Sequence, residues 1–537
     1  MIKSWQDLFS FCSQYEYLIC YGASDHGHVV KHFLENHNIK VDAFMVTDDV
    51  SQSTVRDGIP LYSVTEIKSL PANCGILLSL YERHHASVMQ TIRAARPDIS
   101  VYIIGDDNLV IMHNELNEET CRSILSAPIT ADENARIDYE QCFHALQAKY
   151  ERIEIRLFDV RAIGGYVYWA YYSYCRKQDA SKNFYLYYPF CFENHPESRL
   201  KGANGYLLEH LKGDGLEVLS QKNVNFWRYV FQEHEEYFSM QNEQYELADW
   251  SSKLKTTYKD VPLNEKYAEL DVDADTCNMI TKLGIREPFV CISNRDHVFL
   301  QTQRGDKLKP MTRDIYRNSD IETQCGAVDY LASQNIQAVR MGALVEKEFH
   351  HVNVIDYASR YRSEKLDAVL VDRCKFFVGD VSGILAFPTL LAKPMVLLNS
   401  PQLTVRYDGI QLFDPERDIA LIKKLWDKKK QRFLTVREML DYEINICNTE
   451  KGIQGALFGE YLRREIVPVN NTSEEICDAV EEMNQRLDGT VKYDALDREL
   501  QSRYREIIDN FPPGENIKFR WRLGAAFLRQ NQWLLDS

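Results

Sequence analysis

Phe289-Val290-Cys291-Ile292-Ser293, followed at once by Asn294-Arg295-Asp296-His297, sets the reading of the chain. A short uncharged run that stops at a polar cluster reads as a strand buried on both faces. Ala338-Val339-Arg340-Met341, Phe376-Phe377-Val378-Gly379 and Met395-Val396-Leu397-Leu398 continue the series. Short apolar runs separated by helix-length spacers argue parallel strands with helices on both faces.

The same alternation appears upstream. Ile153-Glu154-Ile155-Arg156-Leu157-Phe158 opens a middle series, continued by Phe184 to Tyr188 and Leu216 to Leu219. The stretch 221–285 reads as mostly polar helix and loop. Nearer the start, Tyr17 to Tyr21, Val41 to Val46, Gly75 to Ser79 and Val101 to Gly105 read as strands. Helical spacing through Val29, Val30, Phe33 and Leu34, and through Val88, Ile92 and Ala95, falls between them. Ile476, Val480 and Met483 mark a helical tail, and Phe519 to Leu535 reads as a second amphipathic helix. The expected architecture is α/β. A small Rossmann-like domain over 1–108 and a helical linker over 109–150 precede two α/β domains over 151–285 and 286–472, with C-terminal helices over 473–537. Two such domains facing each other suggest a ligand cleft at the carboxyl ends of their strands.

Composition bounds what such a cleft holds. At roughly 150 residues per domain, 537 residues allow three or four domains. The 45% hydrophobic and 26% charged content is that of a folded globular chain. A net charge of −16 repels nucleic acid, so a phosphate site must be a local basic cluster. The 13 cysteines are scattered without a C-x-x-C pair, which excludes a zinc ribbon and argues against a disulfide scaffold. Free thiols suit a cytoplasmic protein. No basic-then-apolar leader and no membrane-length apolar run is read, and docking at the inner membrane face stays open.

Polar clusters at expected strand ends are the candidate sites. Gly22-Ala23-Ser24-Asp25-His26-Gly27 lies between a strand and a helix, with Asp48 after the next strand. This is the context of a dinucleotide fingerprint, but Ser24 replaces the glycine that lets a pyrophosphate approach the backbone. A smaller phosphate ligand, or a turn that only packs helix on sheet, are the other readings of Gly22, Ser24, Gly27 and Asp48. Asp271-Val272-Asp273-Ala274-Asp275 could hold a divalent ion, but Thr276 and Lys282 break the calcium-loop pattern and the segment precedes a helix. Helix capping is the preferred reading. Arg161, Gly164 and Gly165 form a glycine-bearing loop after the Ile153 strand, suited to an anion or a sugar.

The richest region gathers Arg295, Tyr316-Arg317-Asn318-Ser319-Asp320-Ile321, Arg340-Met341-Gly342 and Gly379-Asp380-Val381-Ser382-Gly383. Parallel strands bring their carboxyl ends to one edge, so these groups should converge. Arginine forks match diphosphate oxygens, and a Ser-Gly step offers a hydroxyl and backbone N–H groups to the same anion.

At these residues the chain resembles a family of bacterial proteins assigned as glycosyltransferases, marked by a Tyr-Arg-Asn-Ser-Asp-Ile segment. The resemblance runs from about residue 150 to 537, through Arg340-Met341-Gly342, Ile355-Asp356-Tyr357-Ala358, Cys374 to Gly379 and Ser382-Gly383, to Leu523-Gly524-Ala525-Ala526-Phe527-Leu528. It implies a GT-B pair of Rossmann-like domains with the donor nucleotide on the second and a metal-independent reaction. The Arg295-Asp296 step is similar to the strand-end motif of fucosyltransferase-like enzymes, with Ser293 where that motif has histidine. The first domain resembles small nucleotide-sugar-binding domains in pattern only.

The expected activity is transfer of a sugar from a nucleotide-activated donor to a bacterial surface glycan, with the nucleotide sugar as substrate and no separate cofactor or metal. Arg295, Tyr316, Arg317, Asn318, Arg340, Gly342, Asp380, Ser382 and Gly383 are the expected donor-binding residues. Asp159, Asp296 and Asp320 are the candidate catalytic carboxylates, and Arg161, Gly164 and Gly165 belong to the acceptor side. Tyr166, Tyr168 and Trp169 could stack on a sugar, though core packing is the preferred reading. A sugar-nucleotide 2-epimerase of the same architecture and a non-catalytic sugar-nucleotide-binding scaffold are the alternatives.

Overall fold

The computed structural model describes residues 5–23, 25–47, 55–80, 82–129, 132–150, 153–157, 163–167, 183–187, 203–212, 216–219, 223–239, 264–298, 316–401, 403, 414, 416–443, 461–510 and 521–536. Strands β1 (Tyr17–Tyr21), β2 (Ala43–Val46), β3 (Val55–Arg56), β4 (Ile59–Ser63), β5 (Cys74–Leu78) and β6 (Ser100–Ile103) make one sheet, in the order β3-β4-β2-β1-β5-β6. All its pairings are parallel except the β3–β4 hairpin. With the hairpin strand β3 set aside, the five parallel strands follow the doubly wound order 3-2-1-4-5, and β1 and β5 flank the switch point. β5 is buried along its whole length, as a central parallel strand must be.

The helix Asp106–Ser126 follows β6, and the helices Glu133–Asp138 and His144–Lys149 lead into the middle sheet. The middle sheet holds β7 (Ile153–Leu157), β8 (Asn183–Tyr187), β9 (Leu216–Leu219) and β10 (Phe238–Ser239), all parallel, in the order β10-β7-β8-β9. The stretch expected to be mostly polar holds the helix Val224–Glu233, which buries Phe226, Trp227, Val230 and Phe231. Its apolar residues recur at helical spacing between Asn, Arg and Gln, so the count of polar residues hid a core face.

The third sheet is β11 (Phe289–Ile292), β12 (Gln337–Arg340), β13 (Val354–Ile355), β14 (Phe377–Asp380), β15 (Met395–Ser400) and β16 (Ile419–Ile422). Its order is β13-β12-β11-β14-β15-β16 and every pairing is parallel. This is the full doubly wound order, with the switch point between β11 and β14. A small antiparallel sheet, β17 (Lys424–Asp427), β18 (Arg432–Phe433) and β19 (Ile466–Val469), follows.

The helices Ser473–Leu487 and Ala495–Asn510 close the chain against this domain. Thr472 and Glu475 form a capping box that starts the first of them. The expected final helix is shorter: Ala525–Gln530 is helical, and Gln532–Leu535 is a 3-10 turn. Asn531 breaks it, donating its side-chain amide at 2.9 Å both to Glu475 Oε1 and to the Phe527 carbonyl.

Candidate functional site

The third sheet's switch point collects the polar groups. β11 ends in Ser293-Asn294-Arg295, and β14 ends in Asp380 followed by the Ser382-Gly383 turn. Asp380 is fully buried and is the hub of the edge. Its Oδ2 accepts the Arg295 backbone N–H at 2.9 Å, and its Oδ1 accepts the Asn399 side-chain amide at 2.9 Å. The Ser319 hydroxyl also donates to Oδ2. Burial pushes this carboxyl's pKa up, while Ser319, Asn399, the Arg295 N–H and the nearby Lys423 charge favour the ionised form.

The guanidinium of Arg295 donates to Asn318 Oδ1. The Arg317 guanidinium spans to the same turn, donating to the Val381 carbonyl at 3.1 Å. Gly383 abuts Ile163 and Gly164, which follow β7 in the chain. A Cβ added to it would stand 3.2 Å from Ile163 Cγ2 and 3.8 Å from the Gly164 backbone nitrogen. Two glycine-bearing loops, each following a strand of a separate parallel sheet, therefore meet. Gly165 is buried and starts a short helical turn with Tyr166, whose hydroxyl donates to the Asn204 carbonyl at 3.0 Å. Tyr166 is core, as preferred.

The other expected residues are held as follows. Arg340 is fully buried and turns back into its own domain, donating to the Lys347 carbonyl at 2.5 Å and pairing with Asp356 at 3.4 Å. It also donates to Asn294 Oδ1 at 3.4 Å, which joins it to the edge. Tyr316 is buried, its hydroxyl donating to the Ile466 carbonyl at 2.6 Å. Gly342 makes room for a bend: an added Cβ would lie 2.8 Å from Val345 Cγ1. Asp296 accepts the Val298 N–H at 3.1 Å on one oxygen and the Glu346 N–H at 2.9 Å on the other. Asp320 is exposed, caps the turn Ile321–Gln324 and pairs with Lys347 at 2.8 Å. The Ser382 hydroxyl donates to the Asp380 carbonyl at 3.2 Å. Asp159 and Arg161, with Tyr168 and Trp169, lie outside the described residues.

Lys423, Asn399 and Asn471 complete the edge and were not read from the sequence. Lys423 is fully buried just beyond β16, donating to the Asn318 carbonyl at 2.9 Å and to Asn470 Oδ1 at 2.6 Å. Burial lowers its pKa to about 8. Asn399 and Asn471 exchange backbone-to-side-chain hydrogen bonds, each 2.7 Å, which tie the edge to the start of the C-terminal helices. A lysine closing the apolar run Ile419–Ile422 was the available signal.

At the turn after β1, both glycines are closely packed. An added Cβ on Gly27 would overlap the Gly22 carbonyl oxygen, and one on Gly22, whose φ is +113°, would lie 2.7 Å from Leu80 Cδ2. Ser24 and Asp48 lie outside the described residues. The Asp271–Asp275 segment is a cap: Asp273 Oδ1 accepts the Thr276 N–H at 2.8 Å, and its Oδ2 takes Lys365 at 2.7 Å. Among the described residues, His28, His32 and Asp57 are close enough to share an ion. Lys31 stands 3.4 Å from that Asp57 carboxylate, and Arg56 donates to His28 at 3.2 Å, so positive charge already fills the cluster. Among the described residues no helix is long and apolar enough to cross a membrane.

No family model matches the chain, and no curated protein does. Among solved structures, the chain is similar to a glycosyl transferase family 9 protein from Veillonella parvula DSM 2008. The two are 9% identical over 88% of this chain and 98% of that one, with a TM-score of 0.27. At that identity and score the likeness decides neither fold nor function.

Proposed function

We propose that the chain is a GT-B-type glycosyltransferase that uses a nucleotide-activated sugar without a catalytic metal. The observation that carries this reading is the meeting of the Ser382-Gly383 turn with the Ile163-Gly164 loop, beside Arg295 and Arg317 at the switch point of a doubly wound sheet. In this reading the donor diphosphate lies along the β11–β14 edge and the acceptor glycan enters from the middle domain. As the glycosidic phosphate bond breaks, negative charge grows on the leaving phosphate. Arg295, Arg317 and the Ser382-Gly383 turn stabilise it, while Asp380 and Asn318 hold Arg295 in place. Arg340 and Asp356 act from below, as positioning residues.

The acceptor proton goes to a carboxylate. Asp296 and Asp320 are committed to loop N–H groups, to a cap and to Lys347. We therefore assign the base to Asp159, in the Arg156–Gly165 stretch that carries the apposed Gly164. A bacterial surface glycan as acceptor, and docking at the inner membrane face, belong to the same proposal.

A thermal-shift screen tests it. Nucleoside diphosphates and nucleotide sugars at about 100 times Kd should stabilise the protein by roughly 2.7 kcal/mol. A positive nucleotide sugar should release nucleotide only when a glycan acceptor is added. Epimerisation without acceptor, or no shift with any nucleotide, would refute the reading.

A further inference from the structure

We propose that Lys423 is a positioning residue of the switch-point edge, tethering the Tyr316–Ile321 segment so that Asn318 holds the Arg295 guanidinium in place. The inference rests on the proposed donor site only for what Arg295 does, not for the tether itself.

The chain of contacts is short. Lys423 is anchored by its own backbone N–H, which donates at 2.8 Å to the carbonyl of Ser400, the last residue of β15. Its amine reaches the backbone carbonyl of Asn318, and the Asn318 side chain accepts the Arg295 guanidinium. The Ser319 N–H then donates to the Arg295 carbonyl at 3.0 Å, and the Ser319 hydroxyl to Asp380. One residue of the motif is thus held by its carbonyl from β16, and the next is held from β11 and β14. Asn470 at 2.6 Å takes a second amine proton and adds the loop after β19.

The charged groups facing the amine are Asp380, which favours the ammonium, and Arg295, which opposes it. Lys424, the next residue, points elsewhere, to Glu475 at 2.6 Å. A buried amine costs free energy unless its protons are used and its charge is balanced. Here two neutral oxygens take protons and a buried carboxylate lies nearby. An uncharged side chain would fill the same space without that cost, so the ammonium's use lies in what it holds. The depressed pKa adds a signature: the tether weakens as pH rises through about 8.

Hydrogen exchange of the peptide covering residues 316–321 tests the tether with no ligand present. In the wild-type full chain, protection corrected for intrinsic exchange should be constant from pH 6.5 to 7.5 and fall above about 8. Lys423→Met should exchange at least about tenfold faster at pH 7 and lose that pH step. Lys423→Gln, which keeps an amide donor and drops the charge, should lie between them, also without the step. It carries the comparison if the methionine variant does not fold. Equal protection in wild type and variants, or a wild-type profile flat to pH 9.5, would overturn the inference. A second arm titrates inorganic pyrophosphate at pH 7. Weaker binding by Lys423→Met, by about tenfold or more, is expected. If the wild type binds no pyrophosphate while the exchange step is present, the donor-site reading fails and the tether stands.

Discussion

Arg317→Ala is expected to lower sugar transfer by about 10²–10³-fold, the loss typical of removing one preorganised donor from a site of developing charge. The fold should survive. Arg317 is half-buried, and its hydrogen bond to the Val381 carbonyl at 3.1 Å links two loops, not two layers of the core. Losing one such bond costs about 1 kcal/mol. The unfolding midpoint in urea should therefore shift slightly while turnover collapses. Arg317→Lys should recover little, because an ammonium cannot both hold that carbonyl and present a planar fork to a diphosphate. Nucleotide release with the donor that gives the largest thermal shift is the measurement. A normal rate in Arg317→Ala would mean that the diphosphate lies elsewhere.

Asp380→Asn should have the opposite signature, with stability falling first. Three groups donate to this carboxylate: the Arg295 N–H, the Ser319 hydroxyl and the Asn399 amide. An asparagine has one oxygen, so its own NH₂ must face at least one of those donors. It also withdraws the negative charge that keeps Lys423 protonated. A hydrogen bond to a charged group contributes about 1.5–3 kcal/mol. A loss of roughly 3 kcal/mol in urea unfolding is expected, with nucleotide affinity falling in whatever protein stays folded. The carboxyl's raised pKa also carries a sign. Burial favours the neutral form in the folded state, so the ionised form at neutral pH costs stability, and that cost eases as pH falls toward the raised value. An unfolding midpoint unchanged by Asp380→Asn would contradict its role as the hub.

Much of this edge could be read from residue order. Buried parallel strands announce themselves as short apolar runs, and parallelism alone sends Arg295, Asn318, Asp380 and Ser382 toward one side. What order does not reveal is which way a strand-end side chain turns. Arg340 ends β12 as Asp380 ends β14. Yet Arg340 turns into the loop around Asp356, while Asp380 faces the cluster. Capping chemistry is equally ambiguous in residue order. Asp320 lies in the most specific motif of the chain, but an aspartate before a helical turn is also the ordinary cap, and it serves as one here. Lys423 was missed for a different reason. The strand before it is only four residues long and pairs at the sheet's far edge, so the one local signal, a lysine closing an apolar run, does not say which groups its amine reaches. Its partners, Asn318 and Asn470, are far away in the chain, and only the folded topology brings them together.

The most direct test of where the donor sits is a crystal structure of the protein with the nucleoside diphosphate that stabilises it most. The expected result is phosphate oxygens within about 3.2 Å of the Arg295 and Arg317 guanidinium groups, between the β11 and β14 ends and facing the Gly164 loop. Phosphates bound at the Gly22 turn of the first sheet, or anywhere that leaves both guanidinium groups untouched, would contradict it.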